Sequence, residues 1–197
     1  MLINFGVKQA PDITKGLAMS DLVHSAKIFS IAAHSAVGQR RKYSDAPYWT
    51  HCERVVATLD KFSQAPVSDE MRAAAWLHDA VEDTNVDLEL IRDLFGNNVY
   101  HLVEMLTDVS RPEDGNRRAR KALDLEHTKL ASTEARNIKL ADLIDNAESI
   151  VDNDPGFAVV WLREKRALLE VLADADTGLY AEALRVYKEC DRKLNKN

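Results

Sequence analysis

The scarcity of turn-forming residues constrains this chain more than any other feature. Seven glycines and five prolines are spread over 197 residues, and the stretch between Gly115 and Pro155 contains neither. Glycine and proline punctuate turns, so long stretches without them favour helices over turn-rich β-structure. The start and stop signals agree. Ser20 can cap a helix that runs to about residue 37 and ends at Gly38. Pro47 suits the first turn of a second helix, over about 47–62. Ser68, followed by Asp69 and Glu70, opens a third. Thr84-Asn85-Val86-Asp87 resembles a capping box leading into a helix over 88–95, with Gly96 at its C-terminus. Further helices are expected over about 99–107 and 116–130, then after Ser132 or Thr133 to 151. Asp154-Pro155 opens one to 172, and a last covers 179–194.

No segment reads as a strand or an internal repeat. The expectation is an all-α chain, a single bundle of about eight helices. Residues 1–19 are expected to form an irregular arm and 20–153 the core. The helices of 154–197 pack on that core or form a homodimer surface.

Charge and cysteine content narrow the function. The net charge of −6 does not attract nucleic acid or an anionic membrane, so DNA, RNA and membrane are not expected partners. A polyanionic substrate then needs a local basic patch. Arg40-Arg41-Lys42 is one candidate, and Arg117-Arg118 with Arg120-Lys121 is another, although the latter can equally be a solvated helix face. Two lone cysteines, Cys52 and Cys190, suit a reducing cytoplasm. The N-terminal sequence lacks the apolar core of a signal peptide, and no apolar run is long enough to span a membrane.

The chemistry concentrates in Trp76-Leu77-His78-Asp79-Ala80-Val81-Glu82-Asp83-Thr84, at the end of a nearly apolar run. On one continuous helix, with His78 at zero, Glu82 lies near about 40°, Asp79 near about 100° and Asp83 near about 140°. Three carboxylates so close repel one another, and a divalent cation would relieve that repulsion. The alternative is a helix end that emerges into water, with acidic groups opposing the helix dipole. Imidazole and carboxylate together suit manganese, iron, zinc or magnesium. Two further elements join this run: Pro47-Tyr48-Trp49-Thr50-His51, and Lys139-Leu140-Ala141-Asp142 with Asn146 four residues on.

The pattern His51, His78-Asp79, Asp142 resembles the HD phosphohydrolase superfamily, which is all-α and binds metal through those four positions. Arg41-Lys42, Tyr48, the full run from His78 to Thr84, Thr107-Asp108, Lys139 and Asn146 make the chain similar to the hydrolase domain of RelA/SpoT homologues, in particular the stand-alone small alarmone hydrolases. The resemblance covers about residues 33–150. The rest of the length leaves no room for a synthetase domain. It implies an HD-domain bundle holding a divalent metal, usually Mn²⁺, on His51, His78, Asp79 and Asp142. It also implies a cytoplasmic enzyme of the stringent response that removes pyrophosphate from the 3′ position of guanosine tetra- or pentaphosphate. Glu82 and Asp83 then orient the attacking water or shuttle its proton. Arg41, Lys42, Tyr48, Lys139 and Asn146 contact substrate.

Two departures from the family pattern bear on the nucleotide pocket. The segment between Lys42 and Pro47 is short, and Leu-Ile-Asp follows Asp142 where many relatives carry a basic residue and an aromatic or histidine. The alternatives are an HD nucleotidase or nucleoside-triphosphate pyrophosphohydrolase acting on other nucleotides, and a non-catalytic nucleotide sensor. His24, His34, His101 and His127 are expected at the surface or in packing, and Trp49, Trp76 and Trp161 in the core or the pocket wall. Asp145 is expected beside the ligands or in solvent.

Overall fold

The computed structural model describes residues 19–195. Its helices are α1 (Met19–Ala36), α2 (Trp49–Phe62), α3 (Asp69–Leu77), the single turn α4 (Ala80–Asp83), α5 (Leu88–Leu106), α6 (Arg117–Lys129), α7 (Thr133–Asn153), α8 (Pro155–Val171) and α9 (Thr177–Leu194). A 3-10 turn at Pro112–Asp114 precedes α6. Among the described residues there is no strand, only an antiparallel bridge between Arg40 and Pro47. The fold is all-α, as expected. Among the described residues no helix is long and apolar enough to cross a membrane. The expected arm lies outside the described residues except for Met19. Met19 already belongs to α1, so Ser20 stands inside the first turn instead of at the cap. Helix ends shift by a residue or two without any change in packing.

Side-chain caps set most helix starts. Ser68, Ser132 and Asp154 accept the amides of Met71, Ala135 and Phe157. Three further starts differ from expectation, each because a tertiary or local bond competes. Pro47 is held in the bridged 39–47 loop, where Arg41 N donates to the Ala46 carbonyl and Tyr48 N to that of Gln39, so α2 begins at Trp49. Thr84 closes α4 by donating to the Ala80 carbonyl at 2.6 Å, and Asp87 caps α5 instead. Asp176 accepts the Gly178 and Leu179 amides, starting α9 at Thr177. Gly96, at φ 84°, kinks α5 where the sequence places a helix end.

The core sits around α3 and α7. From Met71 to Leu77 only Arg72 escapes full burial. Leu140 and Leu143 of α7 are wholly buried. Burying a leucine completely contributes about 1.5–3 kcal/mol relative to exposure. Helix α2 packs on α3 and α7, and α8 and α9 pack on α7. Trp76 belongs to the main core, while Trp161 joins Ala147, Val151 and Cys190 in a second cluster. Asp176 ties the α2–α3 turn to α9, since its other oxygen accepts the Gln64 and Ala65 amides, each at 2.9 Å.

Gly178 lies under that tie. A Cβ there would overlap the carbonyl oxygen of Phe62. Gly178→Ala is therefore expected to cost about 1–3 kcal/mol, lowering the melting temperature by about 2–4 °C per kcal/mol. An unchanged melting curve would refute this close approach.

Candidate active site

Four helical segments bring the candidate ligands together. His51 lies in the first turn of α2 and is wholly buried. His78 follows the last residue of α3, Asp79 comes next, and Asp142 sits mid-way along α7. His51 Nε2 lies 3.3 Å from His78 Nε2, 3.2 Å from Asp142 Oδ1 and 3.6 Å from Asp79 Oδ2. His78 Nε2 lies 3.0 Å from Asp79 Oδ2 and 3.9 Å from Asp142 Oδ1. Donor atoms of His51, His78 and Asp79 all fall within 4.8 Å of one another.

The other imidazole nitrogens are committed. His78 Nδ1 donates to the Ala75 carbonyl at 2.9 Å, and His51 Nδ1 to Asp145 Oδ2 at 2.7 Å. Both acceptors lack protons, so Nδ1 carries the hydrogen in each ring. Two neutral imidazoles would then point Nε2 lone pairs at each other and at two carboxylates. That donor set repels itself and fits a divalent cation. Without a cation, protons serve the same purpose. Burial opposes a charge on His51, but the carboxylates of Asp142, Asp145 and Asp79 outweigh it and push the imidazole up to about 11. Burial likewise opposes ionised Asp79 and Asp142, yet the histidines hold both carboxyls below the usual range.

The helix that carries the histidine–aspartate pair is not continuous, contrary to the wheel drawn above. The His78 ring takes the Ala75 carbonyl that the Asp79 amide would otherwise use, and Asp79 relaxes to φ −101°, ψ −2°. Glu82 and Asp83, both on α4, meet different partners. Glu82 Oε1 accepts the Asp108 amide at 2.6 Å. Protein packed around Glu82, with the charge of Asp108, pushes its carboxyl up to about 7, although the side chain keeps an exposed face. Asp83 Oδ2 accepts from Gln39 Nε2 at 2.9 Å, and Gln39 Oε1 accepts from His34 Nδ1 at 2.6 Å. His34 is wholly buried, its ring centre 4.9 Å from that of Tyr48 and tilted by 41°.

The expected substrate contacts divide between two cavities. One, of about 860 Å³, is lined by Arg41, Lys42, Tyr48, Asp145 and Asn146. Here Tyr48 donates its hydroxyl to Asp79 at 2.5 Å, and burial keeps it a phenol. Arg41 Nη1 donates to Asn146, which donates to Asp142 at 2.6 Å. Lys42 turns outward to Asp154 at 3.2 Å. The second cavity, of about 800 Å³, lies between α6, α7 and α8 and includes Lys139. Lys139 donates to the Leu106 carbonyl, and Lys121 pairs with Asp108 at 2.5 Å.

An HD-domain family model matches residues 26–175. The chain belongs to the HD-domain family. It is similar to the guanosine-3′,5′-bis(diphosphate) 3′-pyrophosphohydrolase MESH1 of Drosophila melanogaster, 38% identical over 130 residues, or 65% of this chain and 68% of the relative. The Xenopus tropicalis protein of the same name is 35% identical over 123 residues, covering 61% of this chain and 66% of the relative. A solved structure described as a metazoan ortholog of SpoT that hydrolyzes ppGpp superposes with a TM-score of 0.76. It is 26% identical and spans 88% of this chain and 98% of that one. HD-domain membership implies a divalent metal, and the donor set described above fits one.

Sequence reasoning missed two residues of this HD domain, Gln39 and Lys165, and left Asp145 between a place beside the ligands and solvent. Gln39 bridges His34 to Asp83. Asp145 takes the back of His51. Lys165 of α8 lines the second cavity, half-buried, with its ammonium 5.4 Å from the Trp161 ring centre and no ion pair among the described residues. Burial pulls its ammonium below the usual lysine range. Only the four-residue spacing from Trp161 hinted at it.

Proposed function

We propose that the chain is a metal-dependent pyrophosphohydrolase that removes the 3′-diphosphate of guanosine tetra- or pentaphosphate, giving GDP or GTP and pyrophosphate. The observation that carries this reading is the His51, His78, Asp79 and Asp142 cluster flanked by a cationic cavity. Six cationic side chains and three carboxylates line the second cavity, so its local charge opposes the chain's net −6. The activity named for the Drosophila and Xenopus relatives supports the same substrate.

His51, His78, Asp79 and Asp142 would hold the cation, with Mn²⁺ the proposed ion. When bound, it supplies Lewis acidity at phosphoryl oxygen and makes water a competent nucleophile at neutral pH. The chain's own groups do the remainder. Glu82, raised toward 7 and open to solvent, accepts a proton from the attacking water. Asp83, steadied by Gln39, orients that water. The water oxygen bonds to phosphorus, the bond to the 3′ oxygen breaks, and the released oxygen is protonated. Arg41 and Lys42 on one side, and Lys139 with Lys165 on the other, offset the charges of the two diphosphates. Tyr48 and Asn146 hold the carboxylates of Asp79 and Asp142 in place. A sequence with only two cysteines, Cys52 and Cys190, both buried, supports a cytoplasmic location.

The deciding experiment incubates Mn²⁺-loaded protein with guanosine tetraphosphate, GTP and deoxynucleoside triphosphates in parallel. Pyrophosphate and GDP from the tetraphosphate alone are expected. Turnover of deoxynucleotides with none of the tetraphosphate would establish the nucleotidase alternative. Binding without turnover would establish the sensor. Lys165→Ala is expected to raise KM for the tetraphosphate about tenfold or more, since a charge-assisted contact is worth about 1.5–3 kcal/mol. An unaltered KM would remove Lys165 from the substrate path.

A further inference from the structure

Asp142 and Asp145 stand one turn apart on α7 and grip His51 from opposite sides. Asp142 Oδ1 lies 3.2 Å from Nε2, and Asp145 Oδ2 accepts from Nδ1 at 2.7 Å. The back carboxylate is itself fixed. Arg54, one turn beyond His51 on α2, donates Nε to Asp145 Oδ1 at 2.5 Å and Nη2 to Oδ2 at 3.2 Å. Arg41 adds a longer contact at 3.5 Å. The Asp145 side chain is only 7% exposed. Two helices thus share a closed unit in which α2 gives the histidine and its arginine, and α7 gives the two carboxylates.

We propose that Asp145, clamped by Arg54, is the positioning residue that sets the tautomer and angle of His51 and thereby the affinity of the site for its metal. This rests on the metal-dependent reading above. The physical reason is direct. A carboxylate on Nδ1–H leaves Nε2 as the only free donor of the ring, aims it into the cluster and raises its basicity. The bidentate arginine prevents Asp145 from turning away to water. Of the four candidate ligands, Asp145 bonds only His51, so its effect on the metal runs through that imidazole.

The test is titration of the full-length protein with Mn²⁺, read by electron paramagnetic resonance, beside the melting temperature of the metal-free form. Asp145→Asn should weaken Mn²⁺ binding by about 10–100-fold, the usual effect of losing such an outer partner. At saturating Mn²⁺, kcat should recover in large part, while any rise in KM for the tetraphosphate reads the separate contact of Asp145 with Arg41. Asp145→Glu should restore part of the affinity. Arg54→Gln alters a half-exposed side chain and should weaken Mn²⁺ in the same direction but less, which keeps the proposal open to test if Asp145→Asn does not fold. Imidazole ¹⁵N shifts of His51 should report a loss of the fixed Nδ1–H tautomer in Asp145→Asn. Unchanged Mn²⁺ affinity in Asp145→Asn, or in Arg54→Gln should the first variant not fold, overturns the role of Asp145. If the wild-type protein still hydrolyses the tetraphosphate, the proposed activity stands regardless.

Discussion

His78→Ala is expected to strip the metal and reduce hydrolysis to the metal-free background, a loss of about 10³-fold or more. A bound cation stabilises transition-state charge by several kcal/mol, and each 1.36 kcal/mol is about tenfold in rate. The structural reason is that His78 faces every other donor in the cluster, with its Nε2 within 3.9 Å of His51, Asp79 and Asp142. Alanine leaves Asp79 and Asp142 facing each other with one imidazole between them. The measurement is metal content by mass spectrometry together with pyrophosphate release, on protein shown folded by circular dichroism. Full metal occupancy with full turnover in this variant would sink the assigned cluster.

The same cluster makes metal affinity depend on pH, with a definite sign. His51 must be neutral at Nε2 to bind a cation, but in the metal-free protein the carboxylates of Asp142, Asp145 and Asp79 outweigh burial and raise it to about 11. Metal binding therefore releases a proton, and affinity should climb as pH rises until it levels off at about 11. Stability of the metal-free protein runs the other way. The raised imidazole contributes fully below its unfolded value of 6.5, and that contribution is lost as pH rises through about 11.

What was legible in the sequence divides along a physical line. Helix starts at Ser68, Ser132 and Asp154 could be read because an N-cap is a local bond, made within three residues. The meeting of His51, His78, Asp79 and Asp142 was implied by the resemblance to the HD superfamily, and His78-Asp79 and Asp142 also stand out as polar groups in nearly apolar stretches. The break between α3 and α4 could not be read. It follows from one imidazole bonding to Ala75, and no spacing rule distinguishes that ring from one pointing outward. Gln39 and Lys165 were hidden for a different reason, and the choice for Asp145 between the ligands and solvent stayed open for the same one. Their partners His34, the walls of the second cavity and His51 come from other elements, so composition and periodicity say nothing of them. Adjacency of Lys42 to Arg41 also hid how the two side chains diverge along the wall of one cavity, one to Asn146 and the other to Asp154.

Glu82→Gln should keep the fold and the metal while reducing kcat by about 10²–10⁴-fold, the range for loss of a general acid or base. The substitution is close to isosteric, and the glutamine carbonyl can still accept the Asp108 amide that Glu82 Oε1 accepts at 2.6 Å. Only the ability to take a proton disappears. A carboxyl raised to about 7 by the protein around it and by Asp108 is half ionised near neutrality, so as a base it loses function when pH falls below that value. A cation at the neighbouring cluster favours the ionised form, and solvent on the exposed face screens Asp108. The acidic limb of kcat/KM should therefore lie at or below about pH 7 and be missing from the residual activity of Glu82→Gln. Asp83→Asn separates the two carboxylates. Its side chain is held by Gln39 instead of Asp108, so it should lower turnover while leaving that limb in place. Near-normal turnover in Glu82→Gln, or an acidic limb that persists in it, would show that Glu82 only anchors the Asp108 loop and that the proton goes elsewhere.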